Sequence, residues 1–382
     1  MKFITQLSRI LVGALFIFSG LIKLNDPVGF SFKLHDYFAE DVLDMAFMLP
    51  FVLPLAVFIV ILEVILGLSL LLGFWKRITS WLLLLMILFF TFLTFYSAYF
   101  DKVTDCGCFG DAIPLVPWES FGKDVILSIL IFIIFFNLKY IKPLFSNKVS
   151  SLSLLIAVVA CSFLANHVLN HLPLKDFRVY AEGKNIIEGM KEAEELGLEA
   201  PEYITLYTMV NSSTGEEQKV SSIDYNAEKW WEKKDWEIKK GESKSVLIKE
   251  GYTPPIHDFV ILFEGRDETQ NVLNAEEVFL LISYDINKAD KQAFDKINAF
   301  AAEAEKLKKP FIGLSASLDE DVDAFRHDVQ AAFPFATMDA TTLKTIIRAN
   351  PGIVLLKKGS IIKKWHYNDL PSFEEVMNKH LN

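Results

Sequence analysis

Five apolar stretches of about twenty residues decide what this chain can become. They cover residues 4–24, 50–73, 78–100, 123–138 and 149–169, the fourth being shorter and carrying Lys123 and Asp124 at its start. A bilayer core about 30 Å thick is crossed by about 20 residues of helix, the form that satisfies every backbone N–H and C=O where water is absent. The pattern predicts five membrane-spanning helices, with the lipid bilayer as the first partner. The first stretch is read as a retained helix, because Gly20-Leu-Ile-Lys-Leu-Asn-Asp26 offers no small-x-small cleavage pattern. Across its 382 residues the chain is 52% hydrophobic, which excludes a disordered protein.

Charge divides the chain in two. Residues 1–175 carry 12 Lys+Arg against 11 Asp+Glu, and residues 176–382 carry 26 against 37. An acidic soluble half argues against nucleic acid, whose binding rests on phosphate neutralisation by Lys and Arg. Lys2 and Arg9, Lys76 and Arg77, and Lys139, Lys142 and Lys148 all fall on one side of the five helices, the side that the positive-inside rule makes cytoplasmic. The N-terminus is then cytoplasmic and everything after residue 172 is extracytoplasmic.

Residues 25–49 alternate Phe30, Phe32, Leu34, Tyr37 and Phe38 with Lys33, His35, Asp36 and Glu40, which suits an amphipathic segment on the outer interface. Beyond the spans, 185–196 reads as a surface helix, and 203–210 and 217–223 read as a hairpin around Asn211-Ser-Ser-Thr-Gly215. Trp230, Trp231 and Trp236 are expected to pack a small β-rich module. From 278 onward, strands over 278–283, 311–315, 353–357 and 360–365 alternate with helices over 288–307, 319–331, 341–348 and 372–381, implying a sheet covered by helices.

Asp105-Cys106-Gly107-Cys108-Phe109-Gly110 is the sharpest chemical signal. Two thiols one glycine apart close a disulfide only if the chain bends to bring their Cα atoms within about 6.8 Å, and glycine permits the bend. A strained, exposed disulfide exchanges readily, and so short a loop gains little entropic stabilisation, so redox exchange is the leading reading. A structural bridge, or two buried thiols pinning the loop, is the plain alternative. A metal site with His167 and His171 is a third, but the spacing matches no standard zinc pattern and no metal is expected. Cys161, in the middle of the fifth stretch, reads as a small buried hydrophobe. Glu63 sits midway along the second stretch, where an ionisable group costs about 2.5–3.5 kcal/mol and so marks a functional candidate for proton handling, with Ser19 or Lys23 as partner. A neutral glutamic acid bonded to a neighbouring helix is its structural alternative.

Phe16-Ile-Phe-Ser-Gly-Leu-Ile-Lys-Leu-Asn-Asp-Pro27 and Glu63-Val-Ile-Leu-Gly-Leu-Ser-Leu-Leu-Leu-Gly73 resemble the DoxX-like membrane proteins, and Cys106-Gly-Cys-Phe-Gly110 resembles their MauE branch. The resemblance implies a four-helix transmembrane domain over 1–145, a fifth transmembrane helix over 146–172, and a linker with the β-rich module over 173–250. Pro255-Ile-His-Asp-Phe-Val-Ile-Leu-Phe-Glu-Gly265 and Asn350-Pro351-Gly352 resemble the first hairpin and the cis-proline loop of thioredoxin-like proteins, placing such a domain over 251–382. There the usual Cys-x-x-Cys is replaced by Tyr284-Asp-Ile-Asn-Lys-Ala-Asp290, and no cysteine follows Cys161. The fold class implied is an α-helical membrane bundle followed by an extracytoplasmic α/β thioredoxin-like domain lacking Cys-x-x-Cys. The whole is similar to fusions found in Bacteroidetes, which places it in a bacterial inner membrane with a periplasmic C-terminal domain.

The function implied is extracytoplasmic thiol–disulfide exchange by Cys106 and Cys108. An extracytoplasmic protein partner would dock on Tyr284, Asp285, Asn350 and Pro351. Two alternatives stay open: a non-enzymatic membrane scaffold presenting a redox-dead thioredoxin fold, and a quinone-linked subunit of DoxX type, with quinone as its cofactor.

Overall fold

The computed structural model describes every residue except 101, 104–106, 108 and 382. It divides into two compact units, one made of Met1–Gly183 with Val260–Asn382 and the other of Lys184–Phe259. The first unit opens with α1 (Lys2–Asn25), α2 (Pro27–Phe38), α3 (Val52–Leu72), α4 (Lys76–Phe100), α5 (Pro117–Phe136) and α6 (Asn147–Asn170). Among the described residues, four helical segments are long and apolar enough to cross a membrane: Lys2–Asn25, Ala46–Leu72, Lys76–Phe100 and Asn147–Asn170. A helix, α5, forms where the fourth span is expected, but Glu119, Lys123 and Asp124 in its first turns keep it outside that set. It begins six residues earlier than expected, with Pro117 at its first position, where the missing N–H costs nothing.

Helix ends are fixed by specific groups. Asp26 caps α2, its carboxylate accepting the Gly29 N–H at 2.8 Å with Pro27 next in line. Gly73 ends α3 in the left-handed conformation (φ 69°). The buried Arg9 donates to the Leu70 and Leu71 carbonyls there, at 2.9 and 2.6 Å. A residue first read as an orientation marker is thus a cap for a neighbouring helix. The interior splits into two clusters, one around Phe16, Leu66, Leu83 and Ile131 and the other around Leu24, Leu34, Tyr37, Val60 and Cys161. Most of α6 stays exposed, with Leu155, Ile156, Val159 and Phe163 outward and Cys161, Ala165 and Val168 inward. An apolar outer face of that kind suits lipid.

The second unit holds α7 (Ile186–Gly189), β1 (Glu202–Asn211), β2 (Glu217–Ser221), α8 (Ser222–Ala227), β3 (Trp236–Ile238) and β4 (Lys244–Lys249). Strand β1 pairs antiparallel with β2 on one side and with β3 and β4 on the other. The expected hairpin forms, its turn held by Asn211 Oδ1 accepting from the Ser213 and Thr214 N–H groups. Trp230 is buried with Met209 and Val220, and Trp236 meets it edge-on at 5.3 Å. Trp231 stays exposed. The helix expected over 185–196 is only the single turn of α7. Within that stretch only Ile186 and Ala193 are buried, too little apolar surface to hold a longer helix.

The chain then returns to the first unit with β5 (Leu262–Phe263), β6 (Arg266–Asp267), α9 (Thr269–Leu273), β7 (Val278–Ile282), α10 (Phe294–Lys306), β8 (Phe311–Ser315) and α11 (Asp319–Asp328). It finishes with β9 (Phe335–Thr337), α12 (Ala340–Ile346), β10 (Gly352–Lys357), β11 (Ser360–His366) and α13 (Phe373–Val376). The sheet order is β11-β10-β7-β8-β9-β5-β6. Strands β7, β8 and β9 run parallel, while β10 is antiparallel to β7 and β11 to β10. Every residue of β7 is buried, as a central strand covered on both faces requires. Phe279, Leu281, Ile353 and Leu355 carry one face of the core, against Phe294, Phe300, Phe325 and Phe373 from the helices. The peptide bond between Asn350 and Pro351 is cis.

Candidate functional site

Glycines set the first element of the site. A Cβ on Gly20 would stand 2.6 Å from the Val64 side chain, and one on Gly67 would stand 2.8 Å from the Gly13 carbonyl. Only hydrogen allows α1 and α3 so close. That approach brings Lys23 to Glu63, with Nζ 2.6 Å from Oε2 and both side chains almost fully buried. Lys23, one of the two partners the sequence offered for Glu63, is in contact with it. Oε2 lies within ion-pair distance of the ammonium without meeting ordinary hydrogen-bond geometry. The ammonium also faces the Phe30 and Phe90 rings at 5.3 and 4.8 Å from their centroids.

A second buried charge comes from α5. Asp124, 1% exposed, accepts from Thr94 at 3.1 Å and lies 2.7 Å from Lys123 Nζ. Between the two pairs is a cavity of about 30 Å³, bounded by Lys23, Glu63, Lys33, Lys123 and Asp124 and by aliphatic and aromatic side chains of α1, α2 and α4. Cys106 and Cys108 lie outside the described residues. Their described neighbours Gly107 and Phe109 both line this cavity. Gly107 has φ 64°, a conformation glycine adopts freely, and a Cβ there would stand 3.2 Å from Lys33 Cγ. Phe109 lies under Lys123 Nζ at 5.0 Å and against Phe18 at 5.8 Å. A space of that size holds one or two waters, whereas a cavity that takes a benzene ring is about 150 Å³.

Sequence reasoning marked Glu63 and saw Lys123 and Asp124 only as charges at a helix start. A carboxylate inside an apolar helix was the available signal for Asp124. The remaining marked residues gather elsewhere, at one end of β7 and β10. Asn350 Oδ1 accepts from Ser283 Oγ at 3.0 Å, and its amide donates to the Asp285 carbonyl at 2.7 Å, tying the Tyr284-Asp285 turn to the cis-Pro351 loop. Tyr284 meets Phe32 of α2 edge-on at 6.0 Å, and burial pushes its pKa up to about 12. Among the described residues, no group of three or more His, Cys, Asp or Glu is arranged to hold a metal ion. The His167 and His171 rings lie 4.5 Å apart, tilted by 30°, and His171 Nδ1 is 2.6 Å from Asp369.

Residues 1–137 match the MauE family, described as methylamine utilisation protein MauE. The MauE-like region holds α1 to α5, and therefore every residue that bounds the cavity. Comparison with curated proteins finds no match. Among solved structures, the chain is similar to a proposed protein disulfide isomerase from Bacteroides thetaiotaomicron, in solution, at 18% identity over 32% of this chain and 82% of that one. The TM-score is 0.25, and the likeness carries no argument.

Proposed function

We propose that the protein is a bacterial inner-membrane component of extracytoplasmic thiol–disulfide exchange, with Cys106 and Cys108 as its exchange pair. One observation carries the reading: both described neighbours of that pair line a buried cavity that also holds three lysines and two carboxylates. Cationic neighbours lower a thiol's pKa, making it a better leaving group in exchange. In the step proposed, a partner protein's thiolate attacks one sulfur of the Cys106–Cys108 disulfide and the other sulfur leaves as thiolate. The partner's second thiolate then resolves the mixed disulfide. The partner's dithiol gives up two electrons and becomes a disulfide, and the pair becomes a dithiol. The Lys23–Glu63 pair sets the electrostatics of the cavity and offers a carboxylate to hold a proton released there.

The finer architecture belongs to the same proposal. Five spans, with α5 entering through its charged end, put the N-terminus in the cytoplasm and the C-terminal domain in the periplasm, on a bundle of DoxX type. The C-terminal sheet is read as thioredoxin-like, supported by the order β8-β7-β10-β11 and by the cis-proline before β10. With no cysteine after Cys161, its part is docking rather than exchange.

Serine at Cys106 or at Cys108 should trap a mixed disulfide with a partner in intact cells, visible on non-reducing gels and identified by mass spectrometry. The pair should titrate between about −120 and −230 mV, the range of exchange catalysts. No adduct under mild oxidation, together with resistance to reduction below about −300 mV, refutes exchange. The missing Cys-x-x-Cys favours a second reading, a membrane scaffold. A partner that co-purifies undiminished when both cysteines are serine would establish that instead.

A further inference from the structure

Helix α6 ends at an open groove of about 640 Å³, lined by His167 and His171 of the helix end, by Leu174 and Lys175 beyond it, and by Lys363 and Trp365 of β11. With Asn147 and Lys148 at one boundary of a bilayer core, the rise along α6 to His167 is about 30 Å, which sets the groove at headgroup level on the other side. Leu155, Val159 and Phe163 recur at every fourth residue of α6, and all three are exposed. The same ridge continues into His167 and His171. An acyl chain laid along that ridge brings its headgroup to the groove. The charges there are unevenly engaged. Of the groove's carboxylates, Asp176 is held by Arg178 at 2.7 Å and by Lys364, Glu182 by Lys363 at 2.9 Å, and Asp369 by His171 at 2.6 Å. Lys175 differs. Asn25 holds its backbone N–H and carbonyl at 3.1 and 2.7 Å, while its ammonium has no carboxylate partner among the described residues. Leu174 beside it is 65% exposed, an apolar surface that suits lipid.

We propose that this groove binds an anionic phospholipid, its phosphodiester against Lys175 and His167 and one acyl chain along Leu155, Val159 and Phe163. The phosphodiester supplies the negative charge that Lys175 lacks, and His167 carries a ring N–H to donate in either tautomer. A zwitterionic headgroup would bring an ammonium as well, and each carboxylate of the groove already has a cation. Free phosphate would satisfy Lys175 and leave the apolar ridge unused, so a lipid is the occupant that matches both parts. The site rests on α6 crossing the membrane and is independent of the exchange reading.

The test uses the full-length protein in phosphatidylcholine nanodiscs that contain a small fraction of a phosphatidylglycerol probe, with a photoreactive diazirine on its acyl chain near the headgroup. A phosphatidylcholine probe with the same chain is the reference. After illumination and digestion, mass spectrometry should find phosphatidylglycerol adducts on the peptides holding Phe163, His167 and Lys175 several-fold above those of the reference probe. Lys175→Gln should cut these adducts about fivefold, the effect of one basic residue beside an anionic lipid, and Lys175→Arg should restore them. Because the Lys175 side chain is exposed and only its backbone is tied to Asn25, both variants keep the fold. Adducts on α4 should be the same in all three proteins and serve as the internal standard. Equal labelling by the two probes, or a yield that Lys175→Gln leaves unchanged, means ordinary bilayer contact and overturns the site. Excess inorganic phosphate should leave the adducts in place; if it removes them, the groove is a site for free phosphate and the lipid assignment falls. No adduct on α6 from either probe refutes its place in the bilayer, and the site with it.

Discussion

Replacing Lys364 with methionine should leave stability almost unchanged at pH 7 and lower it at pH 10.5. The ammonium lies on β11 with its side chain 2% exposed, donating to Asp176 and to the Tyr180 and Ile346 carbonyls, the last two at 2.9 and 2.8 Å. Burial first, then Arg178, pulls its pKa from 10.5 down to about 8, against the opposing pull of Asp176. At 1.36 kcal/mol per pH unit that distance is a penalty of about 3 kcal/mol for folding with the amine charged. The unfolded chain holds the proton up to pH 10.5 and the folded chain releases it near pH 8. Stability therefore rises with pH across that window, and the penalty is fully present below it.

Methionine removes the penalty and leaves two carbonyls short of a donor, at about 1–1.5 kcal/mol each. Asp176 is not stranded, because Arg178 still reaches it through Nε at 2.7 Å and Nη2 at 2.9 Å. The two effects nearly cancel at pH 7, within about 1 kcal/mol, and the variant falls about 2–3 kcal/mol behind the parent at pH 10.5, where the parent's lysine is neutral. Pulse proteolysis of the full chain in detergent across a urea series, following the fragment that spans 260–382, gives both midpoints at each pH. Taking the difference between variant and parent cancels the tyrosines that titrate in the same range. A loss of about 3 kcal/mol or more at pH 7, constant with pH, would mean that Lys364 acts as a productive buried ion pair and would refute the desolvation reasoning.

Inside the bundle, Lys23→Met should cost about 3–5 kcal/mol, the range for stranding a buried charge, and Glu63→Gln less, since Lys23 keeps two aromatic faces and an amide oxygen. The double variant should be more stable than Lys23→Met alone, as read from thermal midpoints in detergent; additive losses would deny the coupling. His366 accepts the Asn368 N–H on Nδ1 at 3.2 Å, and burial takes its pKa down to about 4. It should stay neutral at pH 5 in a histidine-labelled NMR titration. As pH falls from about 6.5 to about 4, the unfolded chain alone takes up that proton, so the domain should lose stability there and His366→Phe should flatten the loss.

What was legible in the sequence followed from length and period. Twenty apolar residues admit few structures other than a buried or membrane helix, so α1, α3, α4 and α6 could be bounded to within a few residues. The α/β alternation was equally plain, because β7 is an unbroken apolar run and the Lys358-Gly359 turn between β10 and β11 suits residues that accept positive φ. Two-residue strands such as β5 and β6 leave no periodicity to read, and their turn is marked only by Glu264-Gly265. Three-residue β9 is hidden in the same way. The polar run at 185–196 has helical composition and no face to bury. Charge pairing was readable only in part: Lys23 was one of two partners offered for Glu63, while the contacts of Asp124 with Thr94 and Lys123 left no mark in the sequence. Nothing local marks Arg348: its partners, Asp26 and Asp111, are 322 and 237 residues away in sequence.

One short helix joins the two halves of the candidate site. On α2, Phe30, Leu34 and Tyr37 recur at the helical period and face the bundle core, with the Phe30 ring beneath the Lys23 ammonium. Phe32, two residues on, projects to another face and carries the contacts with Tyr284, Lys344 and Arg348. A rigid helix of twelve residues cannot move one face without the other. Displacing the C-terminal domain from Phe32 therefore acts on the ring that supports Lys23. A change in the Lys23–Glu63 pair acts in turn on the surface where Arg348 is seated. The first part of the amphipathic segment, α2, thus touches both the buried charges and the C-terminal domain.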